Sequence, residues 1–347
     1  DTSGHGGDII VEQDGNVEIK EINVGTTGEP EVTIKGNGTI TIDEILGEPK
    51  EINIQTTGDV IIKKITKGGT LNITTTGKVI LGTPETPVNV DEMDIIVTGD
   101  IEIYEEDDVI IKKITQGDPE SKVEIYTGGK LVLEDNIIVT GDKEVILESG
   151  DDVVIKGNIV VGTGDVVIKT GGKLEFDNED EKDIVAKDSK ITLEVEDDIA
   201  DDEGGSIYVE VEELVIKNGD GAINIVEEDD LILTIDDKDG DVNVQSGGTV
   251  DVQDITAEDG DIVISADDVV TLNGKIRTND GDVTLSSSED IILYNNIVIA
   301  GTGNIELTAT KGKIVNETND ENTTSAIDTN VKVISDLQTA KYTPEAI

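Results

Sequence analysis

Residues 281–303, GDVTLSSSEDIILYNNIVIAGTG, place apolar side chains in three short bursts separated by polar corners. Val283 and Leu285 alternate with polar neighbours, as do Ile291 with Leu293 and Ile297 with Ile299. A period of two marks a strand with one buried face, so all six residues are expected to point inward. Strands this short need partners, and the chain supplies them by repeating itself. A Gly-Asp or Gly-Asn corner followed by an alternating strand begins at Gly240, Gly260, Gly281 and Gly303, at intervals of 20, 21 and 22 residues. The same corner recurs at Gly58, Gly99 and Gly164. Repetition at this spacing is a solenoid signature. The predicted fold is all-β: a single right-handed parallel β-helix with three short strands and about 20–22 residues per turn. A sandwich would not need its corners in register. No segment carries a 3.6-residue apolar stripe, so very little helix is expected.

Departures from the period mark loops. The stretch 83–87 (TPETP) contains two prolines, which cannot donate to a ladder. Two acidic excursions, 177–183 (DNEDEKD) and 196–205 (EDDIADDEGG), are expected to bulge from the stack. The repeat divides the chain into a β-helical rod over 1–315 and a tail over 316–347. That tail is a polar coil carrying one last alternating strand near 331–337. The strand has two expected uses: to cap its own rod, or to add to a neighbouring copy.

Composition narrows the core. The 347 residues include five Tyr, one Phe and no Trp, so the interior must be built from Val, Ile and Leu. No cysteine is present, which excludes disulfide staples and thiolate metal sites. No apolar run approaches the ~20 residues of a membrane helix, so direct membrane insertion is not expected. No leader is visible, and an amino-terminal Asp1 is what cleavage of one would leave. The charge changes the picture most: 26 basic against 78 acidic residues, net −52. Such a field repels nucleic acid and anionic lipid, and it attracts cations. Adaptation to a salty medium is the alternative source of the same acidity.

Candidate chemistry follows from the acids. Asp241, Asp261 and Asp282 each follow an equivalent glycine, with Asn304 in the next repeat, so in-register turns would stack them into a ladder. A second row is suggested by Asp267-Asp268 and Glu289-Asp290. Calcium takes six to eight oxygens in flexible geometry, so Asp241, Asp261, Asp282, Asp267, Asp268 and Asp290 are the candidate metal ligands. The competing reading keeps these acids apart and hydrated. Catalysis has little support: carbohydrate clefts favour stacking aromatics, and 78 acids place some carboxylate pair close together without any site. Arg277 reads as a surface cation and His5 as a tail residue. Four N-x-S/T sequons begin at Asn37, Asn72, Asn316 and Asn322; in a secreted chain they are candidate glycan acceptors.

The repeats GDVTLSSSEDIIL and GNIELTATKGKIV resemble those of filamentous haemagglutinin and related large secreted exoproteins, most clearly over 219–315. That resemblance implies an extracellular or cell-surface location and a rod used in adhesion or as a structural fibre. The family's amino-terminal secretion motif is not seen here, and the acidity exceeds what is usual for it. The leading expectation is therefore a structural building block of a filament, sheath or surface layer, with copies of itself as partners. The alternatives are a monomeric adhesin with a cell-surface or carbohydrate ligand and, more remotely, a polysaccharide-active enzyme.

Overall fold

The computed structural model describes residues 7–25, 27–140, 142–177, 183–201, 206–295, 297–299, 303–316 and 331–335. It divides into two compact units, Asp1–Asp180 and Glu181–Ile347, and the division falls inside the acidic excursion 177–183. Each unit is a parallel β-solenoid, and no helix occurs among the described residues.

In the first unit, one column of inward residues runs Val17, Ile40, Val60, Val79, Ile101, Val123, Val145, Val166, each paired with the next. A second runs Val32, Ile52, Leu71, Met93, Ile111, Leu133, Ile155, Phe176. All of these side chains are buried. The alternation read from the sequence is thus realised as like-on-like stacking, in which each turn covers the aliphatic layer of the turn before. Burying one Val, Ile or Leu contributes roughly 1.5–3 kcal/mol. No turn closes a core alone, so cohesion comes from neighbours.

The second unit shows three faces per turn most clearly. Strand Ile262–Ala266 pairs with Val283–Ser287, Val270–Leu272 with Ile291–Leu293, and Ile276–Thr278 with Ile297–Ile299. Val283, Leu285, Ile291, Leu293 and Ile297 are buried as expected. The side chain of Ile299 lies outside the described residues. The glycine of each corner has a steric cause. A Cβ on Gly260 would strike the carbonyl of Gly240, and one on Gly281 that of Gly260.

Two loop expectations meet the structure differently. Within 83–87, Thr83 and Thr86 form an antiparallel bridge, a tight reversal set beside the parallel stack. By contrast, the strand Ile184–Asp201 runs through the first part of the 196–205 excursion, and a register shift between Val195 and Asp198 absorbs the irregularity. The expected loop is therefore a bulged strand as far as Asp201. Strand Val331–Ser335 pairs in parallel with Ile305–Ala309, one more rung on its own chain's ladder.

Candidate functional site

The corner aspartates do stack. Val242, Ile262, Val283 and Ile305 are partners in successive turns, so Asp241, Asp261, Asp282 and Asn304, one residue earlier, share a corner. These residues are exposed, yet each carboxylate is tied to the next turn. Asp241 Oδ1 accepts the backbone N–H of Asp261 at 2.8 Å, and Asp261 Oδ1 that of Asp282 at 2.7 Å. Asp282 Oδ1 accepts both the backbone and the side-chain N–H of Asn304, at 2.6 and 2.9 Å. The device is general. Asp108 accepts from Lys130 N, Asp152 from Lys173 N, Asp230 from Thr249 N and Asp290 from Lys313 N, all between 2.7 and 2.9 Å. A short acceptor immediately before each strand thus satisfies an amide that the corner would otherwise leave unpaired. This backbone requirement places part of the chain's acidity.

The second acidic row is stacked in part. Val270 pairs with Ile291, which sets Asp268 beside Glu289 and Asp290 beside Val269. Asp267 and Asp290 therefore do not share a column. Among the described residues, no three Asp, Glu or His side chains converge as a metal-ion site. Arg277 is exposed on its strand, and His5 lies outside the described residues. Asn37 is exposed at a corner; Asn72 lies within a strand and donates from Nδ2 to Glu51 and Asn53 at 2.7 and 2.9 Å. Asn316 is exposed, and Asn322 lies outside the described residues.

The most perturbed chemistry is inside. Glu105 and Glu227 are buried at 3 % and 2 % exposure. Each is the fifth residue of its strand, Ile101–Glu105 and Ile223–Glu227. They head equivalent columns: Glu105 is followed by Thr127, Ser149 and Thr170, Glu227 by Ser246, Ala266 and Ser287. Both reach back to a strand where the preceding turn is irregular. Val90 N donates to Glu105 Oε1 at 3.1 Å, and Val211 N to Glu227 Oε2 at 3.2 Å. Burial pushes Glu105 up to about 8, against the pull of the Val90, Glu106 and Asp107 amides. It pushes Glu227 up to about 7, against the amides of Asp229, Val211 and Glu228. Sequence reading passed over both residues, although a signal was there. The quartet Glu-Glu-Asp-Asp occurs at 105–108 and again at 227–230, and in each case alternation puts the first Glu on the inward parity.

Glu227 also borders an open groove of about 760 Å³ on the second unit, together with Lys187, Glu210, Glu212, Asp229 and Asp230. Glu210 is buried and forms an ion pair with Lys187. The first unit has a smaller cavity, about 370 Å³, bordered by Ile9, Val11, Val17, Ile19 and Ile22. Ile9, Val11 and Ile19 are half-exposed there, and Ile10 is 68 % exposed. Among the described residues, strand Ile9–Gln13 has a neighbour on one side only, Glu31–Gly36. No helix among the described residues is long and apolar enough to cross a membrane. No protein-family model matches the chain, and neither the curated proteins nor the solved structures compared with it give a match.

Proposed function

We propose that the chain is an extracellular structural building block of a filament, sheath or surface layer, joined to further copies of itself through the edges of its stacked turns. The observation that carries this reading is the inward, half-exposed trio Ile9, Val11 and Ile19, in a cavity also lined by Gln13, Asn16, Glu18 and Glu21, beside a strand that among the described residues is paired on one side. An edge strand with exposed apolar residues is a template for pairing, and natural proteins usually blunt it. Here the lining continues the core column, so another β-solenoid turn is the surface that fits it. The flanks support the same reading. Cross-rung pairs such as Lys20–Asp43–Lys63 and Lys64–Glu44 cover them, and exposed pairs of this kind contribute little binding chemistry. Resemblance to filamentous haemagglutinin-like repeats belongs to this proposal too, since those proteins use the same architecture as a surface rod. A second reading, a cell-surface adhesin, is favoured by the groove beside Glu227, which is the elaborated feature a ligand would need.

The test is assembly. Light scattering and negative-stain microscopy of the purified chain should show particles that lengthen with concentration. Val11→Asp, which sets a charge in that cavity, should hold the protein as single copies with an unchanged β-sheet spectrum. Wild-type protein that stays as single copies at high concentration would remove the building-block reading and leave the adhesin.

A further inference from the structure

Two buried oxygens in the second unit lack hydrogen-bond partners and belong to side chains that already touch: Asn218 Oδ1 and Asp237 Oδ2. The two residues are paired positions on adjacent rungs, and both lie inside the stack, at 3 % and 0 % exposure. Asn218 Nδ2 donates to Asp237 Oδ1 at 3.1 Å, to the Asp220 carbonyl at 2.6 Å and to the Gly221 carbonyl at 3.3 Å. Carbonyls only accept, so the orientation of this amide is fixed. Turned over, it would set its own oxygen against theirs. The result is an amide and a carboxyl group on paired rungs, joined by one hydrogen bond, with one buried oxygen left without a partner on each.

We propose that Asp237 carries a proton in the folded protein and donates Oδ2–H to Asn218 Oδ1, closing a two-point acid–amide clasp between the rungs that opens when the proton leaves. One proton satisfies both orphaned oxygens. A charged Asp237 would leave two acceptors facing each other in a buried corner, each at the cost of an unmade hydrogen bond.

The surroundings favour the neutral form. The charges that face Asp237 are Asp220, from the corner of the preceding rung, and Asp239, from its own corner. On the following rung its column neighbour is the methyl of Ala257, and Glu258 begins that corner, with Glu258 N donating to the Asp237 carbonyl at 3.3 Å. Lys238 follows Asp237 in the chain; its amide donates to the Asn218 carbonyl, again at 3.3 Å. Burial first, and then the charges of Asp239 and Asp220, raise Asp237 to about 6 against the bonds from Asn218 and the Asp239 amide. The sign follows from a carboxyl group whose folded value is raised. The clasp's contribution is full below the ordinary carboxylate range and is lost as pH climbs through about 6. This corner is thus a pH-sensitive joint within the solenoid.

The experiment uses the full chain labelled with 13C at the aspartate carboxyls, with the Asp237 signal assigned by its absence in Asp237→Asn. Asp237 should titrate at least one pH unit above the exposed corner aspartates. Amide hydrogen exchange at 218–221 and 237–240, corrected for intrinsic chemistry, should speed up tenfold or more between pH 5 and pH 8. Asp237→Asn can make both bonds as an amide–amide pair without a titrating proton, and should abolish that acceleration. If the variant does not fold, the wild-type carboxyl signals are assigned through Asn218→Asp and the titration decides alone. Asp237 titrating together with the exposed aspartates would overturn the clasp. So would an Asp237 titration that moves down in sodium, potassium or calcium chloride but not in tetramethylammonium chloride of equal ionic strength, because a bound cation would then fill the place given to the proton.

Discussion

Glu105 in the first unit and Glu227 in the second begin the same quartet, head equivalent columns and answer the same kind of broken rung, yet they are not held alike. Both oxygens of Glu227 accept amides: Oε1 from Glu228 and Asp229, at 3.1 and 3.3 Å, and Oε2 from Val211. Glu105 has its Val90 bond on Oε1, while its Oε2 has no partner. Burial is the largest cause of the rise in both, to about 8 for Glu105 and about 7 for Glu227, and neighbouring amides oppose it in each. Hydrogen bonds to the charged form oppose the desolvation that both residues share. The setting differs as well. Glu105 is bridged to Val88 of the preceding turn, which carries the Thr83–Thr86 reversal, whereas Glu227 borders an open groove. One short sequence motif therefore supplies a buried acid in each unit, and its surroundings decide whether one or both of its oxygens are bonded.

Truncation should break the comparison most sharply. Glu227→Ala removes the acceptor for three amides and should cost roughly 3–5 kcal/mol, with Glu105→Ala somewhat less, since one of its oxygens bonds nothing. Urea unfolding monitored by circular dichroism would rank them; a larger loss at Glu105 would show that hydrogen bonding does not separate the two sites. The next largest effect is on pH dependence. Both acids are raised in the folded state, so the stability they affect is full below about pH 4.5 and falls as pH rises through about 7 for Glu227 and about 8 for Glu105. Glu227→Gln should flatten the fall between about pH 4.5 and 7 and Glu105→Gln the fall between about pH 4.5 and 8, each by roughly 2–5 kcal/mol. If Glu105→Gln leaves the slope between pH 7 and 8 unchanged, the two protons are not held differently. The smallest effect lies one rung further along each column. Ser246 donates to the Asp229 carbonyl at 2.6 Å and Thr127 to the Gly129 carbonyl at 2.7 Å, so Ser246→Ala and Thr127→Ala should each cost about 1 kcal/mol. Equal losses at Glu227→Ala and Ser246→Ala, measured in the same denaturant series, would mean that the head of the column is not special.

The solenoid was legible because its core follows one rule. The inward positions of the short strands are mostly Val, Ile or Leu, and corners recur at the interval that brings like onto like. The corner ladder of Asp241, Asp261 and Asp282 was legible for the same reason, since each acid directly precedes a strand whose pairing is fixed by its aliphatics. The second row is less regular: Asp268 and Glu289 are neighbours, while Val269 occupies the place that Asp290 holds one turn later. Inward polar residues were harder to read. Glu105, Glu227, Asn218 and Asp237 all keep the inward parity of their strands, but at a strand's last position a polar side chain looks the same in sequence whether it turns in or out. Only the neighbouring turn settles that: Val90, Val211 and, for the pair Asn218 and Asp237, each other supply the partners.

The corner ladder has an arrow. In the bonds from Asp108 to Lys130, Asp152 to Lys173, Asp241 to Asp261 and Asp290 to Lys313, the side chain always belongs to the earlier turn and the amide to the later one. Any plane drawn between two such turns therefore has carboxylates waiting on one side and amides waiting on the other. Two identical faces of this kind cannot satisfy each other, because acceptor would meet acceptor. A twofold-symmetric pairing of solenoid faces is thus disfavoured at every corner, while a head-to-tail pairing makes the same bond that joins the turns within one copy. Head-to-tail contacts do not close on themselves unless the rotation between copies brings them round into a ring, so an assembly built on this ladder is polar and, without such a rotation, open-ended.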